Sequence, residues 1–184
     1  MCIRDSPYAS LAGSTVLQGF SAQELLFIVG KHAAFYRGEH LIRAHFPTVT
    51  ELTVLFFAGV KLVAPDQPVP PDLLNQVIAT AQSLGRFMQP IHVEGLKMAV
   101  RKFIQDDNAR ANIKRWSQTV ELTSTRAGFV LSGDLDVAKK IIAAEPQLPG
   151  DLTPQEKLKE LLVFSVSDSY FRLRKVLGLD IKGA

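Results

Sequence analysis

The chain has 184 residues, of which 47% are hydrophobic and 21% are charged, and this composition predicts a globular protein with a packed core. Its net charge is +3, but the 21 basic residues are spread among 18 acidic ones, which argues against a nucleic-acid binding surface. The longest apolar run, residues 54–64, is shorter than the roughly 20 residues that a transmembrane helix needs, so no membrane span is expected.

The first six residues, MCIRDS, resemble the translation of a transposon end used in sequencing-library preparation. We therefore interpret residues 1–9 as a non-native or disordered segment and expect the true N-terminus to be missing. The single cysteine, Cys2, lies in this segment, which leaves the rest of the chain without a thiolate for a disulfide or a metal site. Residues 10–184 are predicted to form a single domain, the C-terminal part of a larger bacterial protein. Its cellular location is open, with the cytoplasm as a guess.

The predicted elements begin with a short strand at residues 10–18, because a β-branched pair lies close to Gly19. Ser21 and Glu24, three positions apart, form a capping box that predicts the start of a helix. The apolar residues that follow keep helical spacing, and the helix is predicted to continue to near Ala44.

Two more capping boxes mark the starts of later helices. Thr48 with Glu51 precedes a helix that is apolar on nearly every side and is expected to be central to the core. Thr153 with Glu156 precedes another, with a proline at its first position. A stiff loop with four prolines lies at residues 65–71. The other predicted helices cover residues 72–88, 93–105, 109–131, 135–144, 154–166 and 168–177 approximately.

Two segments of this mainly α, multi-helix domain resemble parts of a known family. The run SAQELLFIVGKHAAFYRGEH resembles the signature helix of the zinc metallopeptidases that include HtpX and the CAAX-prenyl endopeptidase, where Glu-Leu-x-Phe-Val-x-Gly leads into H-E-x-x-H. The run VELTSTRAGF resembles the Glu-x-x-x-Asp-Arg-x-Gly helix that brings that family's third zinc ligand. The resemblance implies a gluzincin-like architecture, in which the short N-terminal strand is an α+β remnant.

The residues that would bind zinc in this family are mostly replaced here. The chemistry needs two histidines four positions apart, a carboxylate from another helix and a glutamate as general base. The resemblance places Lys31 and Phe35 where the family has its histidines, and His32 where it has the catalytic glutamate. Glu121 matches the third ligand, whereas Thr125 replaces the aspartate that supports the site. Lysine binds a metal only after losing a proton at a pKa of about 10.4, and phenylalanine has no ligand atom.

The resemblance also implies framework residues beside the former metal site, namely Gly30, His40, Arg126 and Gly128. We therefore expect no catalytic residue, no metal and no cofactor. Lys31 is a candidate ion-pair partner of Glu121, because a side-chain cation could replace the metal between the two helices. The alternative is that both groups are solvated at the mouth of a filled cleft.

The sequence thus predicts a non-catalytic pseudopeptidase domain that serves as a scaffold or protein-interaction module. Its expected contacts are a protein partner or adjacent domains of the same chain, and not nucleic acid. One alternative is a zinc-dependent peptidase with an unorthodox site built from Glu121, His32 and His40, although those histidines are about 12 Å apart along a continuous helix. The other is a basic domain that binds nucleic acid or another anionic surface.

Overall fold

The computed structural model describes residues 13–106 and 111–179, and these residues are mostly helical. The helices are α1 (Ser14–Gly19), α2 (Ala22–Ala33), α3 (Gly38–His45), α4 (Val49–Val63), α5 (Leu74–Phe87), α6 (Pro90–Gln105), α7 (Ile113–Ser132), α8 (Leu135–Ala144), α9 (Pro154–Ser165) and α10 (Asp168–Val176). Short 3₁₀ turns, Ala34–Tyr36 and Pro71–Leu73, precede α3 and α5. The predicted mainly α fold is confirmed. Every helix within the described ranges is too short or too polar to cross a lipid bilayer.

All three predicted capping boxes are present. In each one the N-cap hydroxyl accepts a hydrogen bond from the backbone N–H three residues later, and the glutamate at that position accepts one from the N-cap backbone N–H. The pairs are Ser21 with Glu24 in α2, Thr48 with Glu51 in α4, and Thr153 with Glu156 in α9. These local bonds fix where three of the helices begin.

The strand predicted at residues 10–18 is wrong over the part that the structure describes, because Ser14–Gly19 form α1. Residues 10–12 of that prediction lie outside the described residues. A strand needs a neighbouring strand for its backbone hydrogen bonds, and the described ranges contain none. A helix forms these bonds locally, as in the 3.0 Å bond that the Val16 N–H donates to the Gly13 carbonyl.

The single helix predicted to run to near Ala44 is interrupted. After the 3₁₀ turn the backbone is extended at Arg37, with φ −66° and ψ 129°, and α3 begins at Gly38. Glycine is a weak helix former, which favours a break here. The Nδ1 of buried His40 donates to the Ala34 carbonyl at 3.0 Å, so a side chain satisfies a carbonyl at the break.

The chain divides into two compact units, Met1–His45 with Ser117–Ala184, and Phe46–Trp116. Each unit has a core cluster of its own. In the first unit, helices α2, α7, α8, α9 and α10 contribute Phe27, Phe129, Val130, Ala138, Ile142, Leu161 and Tyr170. In the second, α4 and α5 contribute Val54, Ala58, Val77 and Ala81. The ring of Phe103 in α6 meets that of Phe56 in α4 edge-on at 5.7 Å.

Helices α2 and α7 approach each other closely at two glycines in the first unit. A Cβ added at Gly30 would lie 2.7 Å from the Ala127 carbonyl oxygen and 2.9 Å from the Cα of Gly128. A Cβ added at Gly128 would lie 2.6 Å from the Phe27 carbonyl oxygen. These neighbours are backbone atoms, which cannot rotate aside as a side chain can. The contact therefore requires glycine at both positions.

We expect Gly128→Ala to lower the free energy of unfolding by about 1–3 kcal/mol, because the added methyl forces α2 and α7 apart. Urea denaturation followed by circular dichroism measures the change. Gly38→Ala is the control in the same unit, since no atom lies within 4 Å of its Cβ position. It should be neutral or stabilising by up to about 1 kcal/mol. A Gly128→Ala protein as stable as Gly38→Ala would contradict the close contact.

Glu24 joins the start of α2 to α8. Its Oε1 lies 2.5 Å from the Nζ of Lys140. The hydrogen bond from Lys140 and that from the Ser21 backbone N–H lower the pKa of Glu24 from 4.5 to about 2. Because the pKa is lowered in the folded state, the resulting stabilisation is present above pH 4.5 and is lost as the pH falls to about 2.

We expect Glu24→Gln to lower the unfolding temperature at pH 7, since glutamine can still accept the N-cap hydrogen bond but cannot form the ion pair. The difference from wild type should shrink as the pH falls from 4.5 to about 2. Thermal unfolding in a pH series measures it. Glu94→Gln, which removes the exposed carboxylate 3.6 Å from Lys97, is the control and should change the curves little. A difference that stays constant down to pH 2 would contradict this role of Glu24.

Candidate functional site

The first unit contains a cavity of about 260 Å³ that brings together three of the five predicted site positions. Its lining combines charged, polar and apolar side chains from α2, the 3₁₀ turn after it, α3, α7 and the segment between α8 and α9: Lys31, Phe35, Arg43, Glu121, Ser124, Glu145, Pro146, Leu148 and Asp151. Lys31, Phe35 and Glu121, which the sequence places on two segments far apart in the chain, thus meet at one cavity.

Four charged side chains beside this cavity form a chain of alternating sign. The Lys31 ammonium donates a hydrogen bond to Glu145 Oε1. Glu145 Oε2 lies 3.4 Å from the Nζ of Lys157, and Lys157 also forms an ion pair with Glu121 Oε1. The Lys157 side chain is only 3% exposed. The two positive and two negative charges balance, which a buried cluster requires because unpaired charges are costly away from water.

The ion pair expected between Lys31 and Glu121 does not form, and neither group is fully solvated. Lys31 reaches instead to the end of α8, where Glu145 follows the last helical residue. The ammonium beside Glu121 comes from Lys157 in α9. The second carboxylate oxygen of Glu121 is buried and has no hydrogen-bond partner among the described residues. Lys157 is thus the cation that compensates the Glu121 charge.

Thr125, which replaces the supporting aspartate in the predicted motif, is fully buried in α7. Its hydroxyl donates to the Glu121 backbone carbonyl at 2.8 Å. Ser124, also fully buried, donates to the same carbonyl at 2.8 Å. Both hydroxyls donate their hydrogen to the backbone of their own helix, so neither donates to the Glu121 carboxylate, which pairs with Lys157.

The two candidate histidines do not join Glu121. His32 is exposed, and its ring meets that of Tyr36 edge-on at 5.6 Å. His40 is buried and bonded to the Ala34 carbonyl, as described above. Within residues 13–106 and 111–179, no group of three or more His, Cys, Asp or Glu side chains is arranged to hold a metal ion.

The other framework positions lie at the α2–α7 contact and between α7 and α9. Gly30 and Gly128 face each other where the two helices touch. Arg126 pairs with Glu160 of α9 at 2.9 Å, and its guanidinium lies 5.3 Å from the centre of the Phe164 ring. These residues hold α2, α7 and α9 together and contribute no ligand atom to the cavity.

The side chains around Glu121 do not fit a zinc ion. Zinc in proteins is bound by thiolates, imidazoles and carboxylates. Here the carboxylate is engaged by the Lys157 ammonium, Lys31 is bonded to Glu145, and Phe35 presents an apolar ring. A metal at this place would require both ammonium groups to move or lose a proton.

A second polar group on the cavity wall was not foreseen from the sequence. Arg43 of α3 pairs with Asp151 at 3.0 Å, and both side chains are largely buried. The other Asp151 carboxylate oxygen accepts a hydrogen bond from the Leu148 backbone N–H at 3.0 Å. Nearby, the Gln118 amide donates to the Gly150 carbonyl at 2.9 Å.

Lys157, Glu145 and Asp151 were not predicted as site residues, and the sequence contains a signal for the first of them. Lys157 precedes Leu161 by four positions, so helical spacing places this lysine on the face of α9 that carries a fully buried leucine. A lysine on a buried face indicates a buried acidic partner. Glu145 and Asp151 lie in a segment without periodicity, and no pattern there indicates their contacts.

The chain matches no protein-family model, no curated protein and no solved structure. Its function is therefore inferred from the residues and geometry of the cavity.

We expect Lys157→Met to lower the free energy of unfolding by about 3–5 kcal/mol, because it leaves the buried Glu121 carboxylate without its cation. Chemical denaturation measures the loss. Adding Glu121→Gln to this variant should restore part of the stability, since the uncompensated charge is removed. Lys159→Met, an exposed position on the same helix, is the control and should change stability by no more than about 0.5 kcal/mol. Equal effects of the two methionine variants would contradict the buried ion pair.

Proposed function

We propose that this chain is a non-catalytic, metallopeptidase-like domain that acts as a scaffold or protein-interaction module. The observation that carries the proposal is the ion pair between Lys157 and Glu121. Glu121 is the one predicted ligand position that keeps a ligand side chain, and an ammonium group of the chain itself lies against it. The Lys157 ammonium, from α9, thus pairs with the carboxylate that the resemblance assigns to a metal ion.

The α2–α7 contact gives independent support. The two sequence runs that resemble the metallopeptidase motifs are far apart in the chain, with 91 positions between Gly30 and Glu121. They nevertheless meet through Gly30 and Gly128, the two framework glycines that the resemblance singled out. A family architecture retained around a changed site accounts for both the close backbone contact and the replaced ligands.

The chemistry of the cavity agrees with a role other than peptide hydrolysis. A hydrolytic site needs a group that activates water and a group that stabilises negative charge on the substrate. Here Glu121 and Glu145 are paired with lysines, and Lys31 and Lys157 are paired with these glutamates. The charges neutralise one another and link α2, α7, the end of α8 and α9. We therefore assign a structural role to this cluster.

Incubation with zinc tests the proposal. After equilibration with zinc and removal of the free ion, we expect elemental analysis to find no stoichiometric zinc and the unfolding temperature not to rise. The reason is that the Lys157 ammonium is already paired with the Glu121 carboxylate. We also expect no hydrolysis of a general peptide substrate in the presence of zinc. Glu121→Gln is the matched variant and should give the same readings. Stoichiometric zinc that stabilises the wild-type protein and is lost in Glu121→Gln would overturn the proposal.

A further inference from the structure

Helix α6, in the second unit, carries large apolar side chains on two opposite sides. Its inner side packs against α4, where the Phe103 ring meets the Phe56 ring edge-on at 5.7 Å, and its Val100 is buried. On the outer side, Ile91 is 74% exposed and Met98 is 66% exposed. A helix with one side in the core normally shows charged and polar residues on the other side. The outer side of α6 departs from that pattern.

The exposed apolar residues of α6 form a continuous stripe. Ile91 and Met98 are seven positions apart, which is close to two helical turns, so they lie in line along the helix. Gly95 and Ala99, both exposed, lie between and beside them. A Cβ added at Gly95 would have no atom within 4 Å, so no described side chain lies over this part of the stripe. Small residues at its centre allow another helix to come close.

One edge of this stripe carries two opposite charges at the same spacing. Glu94 and Arg101 are also seven positions apart and therefore lie on the same flank of α6. The Glu94 side chain is 67% exposed and lies 3.6 Å from Lys97, which makes only a weak surface pair. Arg101 is exposed and forms no ion pair with an acidic side chain of residues 13–106 and 111–179. Both charges are thus free to meet charges of another molecule.

We propose that α6 is a self-association surface, on which a second copy of this chain places its own α6 in antiparallel orientation about a two-fold axis near Met98. Each Glu94 then lies opposite Arg101 of the second copy. Each Met98 lies against Met98 and Gly95 of the second copy. The surface shares no residue with the cavity of the first unit, so the inference goes beyond the proposed loss of metal binding and does not depend on it.

The charge pattern selects a second copy and the antiparallel orientation. A two-fold axis between antiparallel helices brings the same flank of each helix together, so Glu94 and Arg101 meet twice with opposite signs. A parallel pair would place Glu94 beside Glu94 and Arg101 beside Arg101, and like charges in contact are unfavourable. The spacing that makes the flank complementary is therefore its own spacing. Such an isologous contact closes at two copies and does not continue into a filament.

Disulfide cross-linking tests the position of the axis. The background is Cys2→Ser, which removes the only thiol of the chain. Met98→Cys should form a disulfide-linked dimer under mild oxidation, because the two copies of this position face each other at the axis. Ile91→Cys is the matched control on the same stripe and should remain monomeric on a non-reducing gel. Its two copies would be about 20 Å apart along the antiparallel helices, at 1.5 Å per residue.

Sedimentation equilibrium tests the charge pairing. The wild type should dimerise reversibly, and Arg101→Glu should raise the dimer dissociation constant at least about tenfold, since like charges then meet twice. Exchanging both charges, Glu94→Arg with Arg101→Glu, should return the constant to near the wild-type value. Arg172→Glu, which changes the net charge equally at an exposed position in α10, should leave the constant unchanged.

A wild type that stays monomeric at every concentration at which it is soluble would overturn the inference, because another protein or the rest of the chain would then be what covers α6. Equal cross-linking of the Met98→Cys and Ile91→Cys proteins would exclude the antiparallel axis. A double charge exchange that dimerises no better than Arg101→Glu would exclude the pairing. Circular dichroism checks that each variant is folded. None of these outcomes bears on zinc uptake, so the proposed non-catalytic role stands or falls separately.

Discussion

The close contact of α2 with α7 is the constraint on which the first unit depends. Two glycines allow the backbones to touch, and Phe27 packs in the core beside them. A contact between backbones fixes the separation and rotation of two helices more tightly than flexible side chains do. It therefore decides that Lys31 and Glu121, on the two helices, line the same cavity.

Because Lys31 and Glu121 line one cavity that is partly removed from water, each of these charges needs an opposite charge nearby. A carboxylate that is nearly removed from water needs a cation, and a lysine that is 3% exposed needs a carboxylate. The alternating order of Lys31, Glu145, Lys157 and Glu121 satisfies both needs with four residues from α2, α7, α9 and the end of α8. Such clusters add little net stability compared with apolar packing, but they disfavour arrangements that leave a charge unpaired.

The same electrostatics joins the helices to the segment between α8 and α9, residues 145–153, which covers one side of the cavity. The helices are joined by buried apolar side chains such as Ile142 and Leu161, and the covering segment is attached through ion pairs of Glu145 and Asp151. Ion pairs that are largely buried are screened by salt much less than exposed ones.

The sequence by itself determined the helical character, most helix positions and the three capping boxes, because these depend on hydrogen bonds and side-chain spacing within a few residues. It also placed Lys31, Phe35 and Glu121 at one site. It did not show that α1 is a helix instead of a strand or that the helix beginning at Ala22 breaks before α3, since neither feature changes the local pattern strongly. The tertiary structure alone decided the ion-pair partners. Lys31 and Glu145 are 114 positions apart, and no local rule relates two such side chains until packing brings them together.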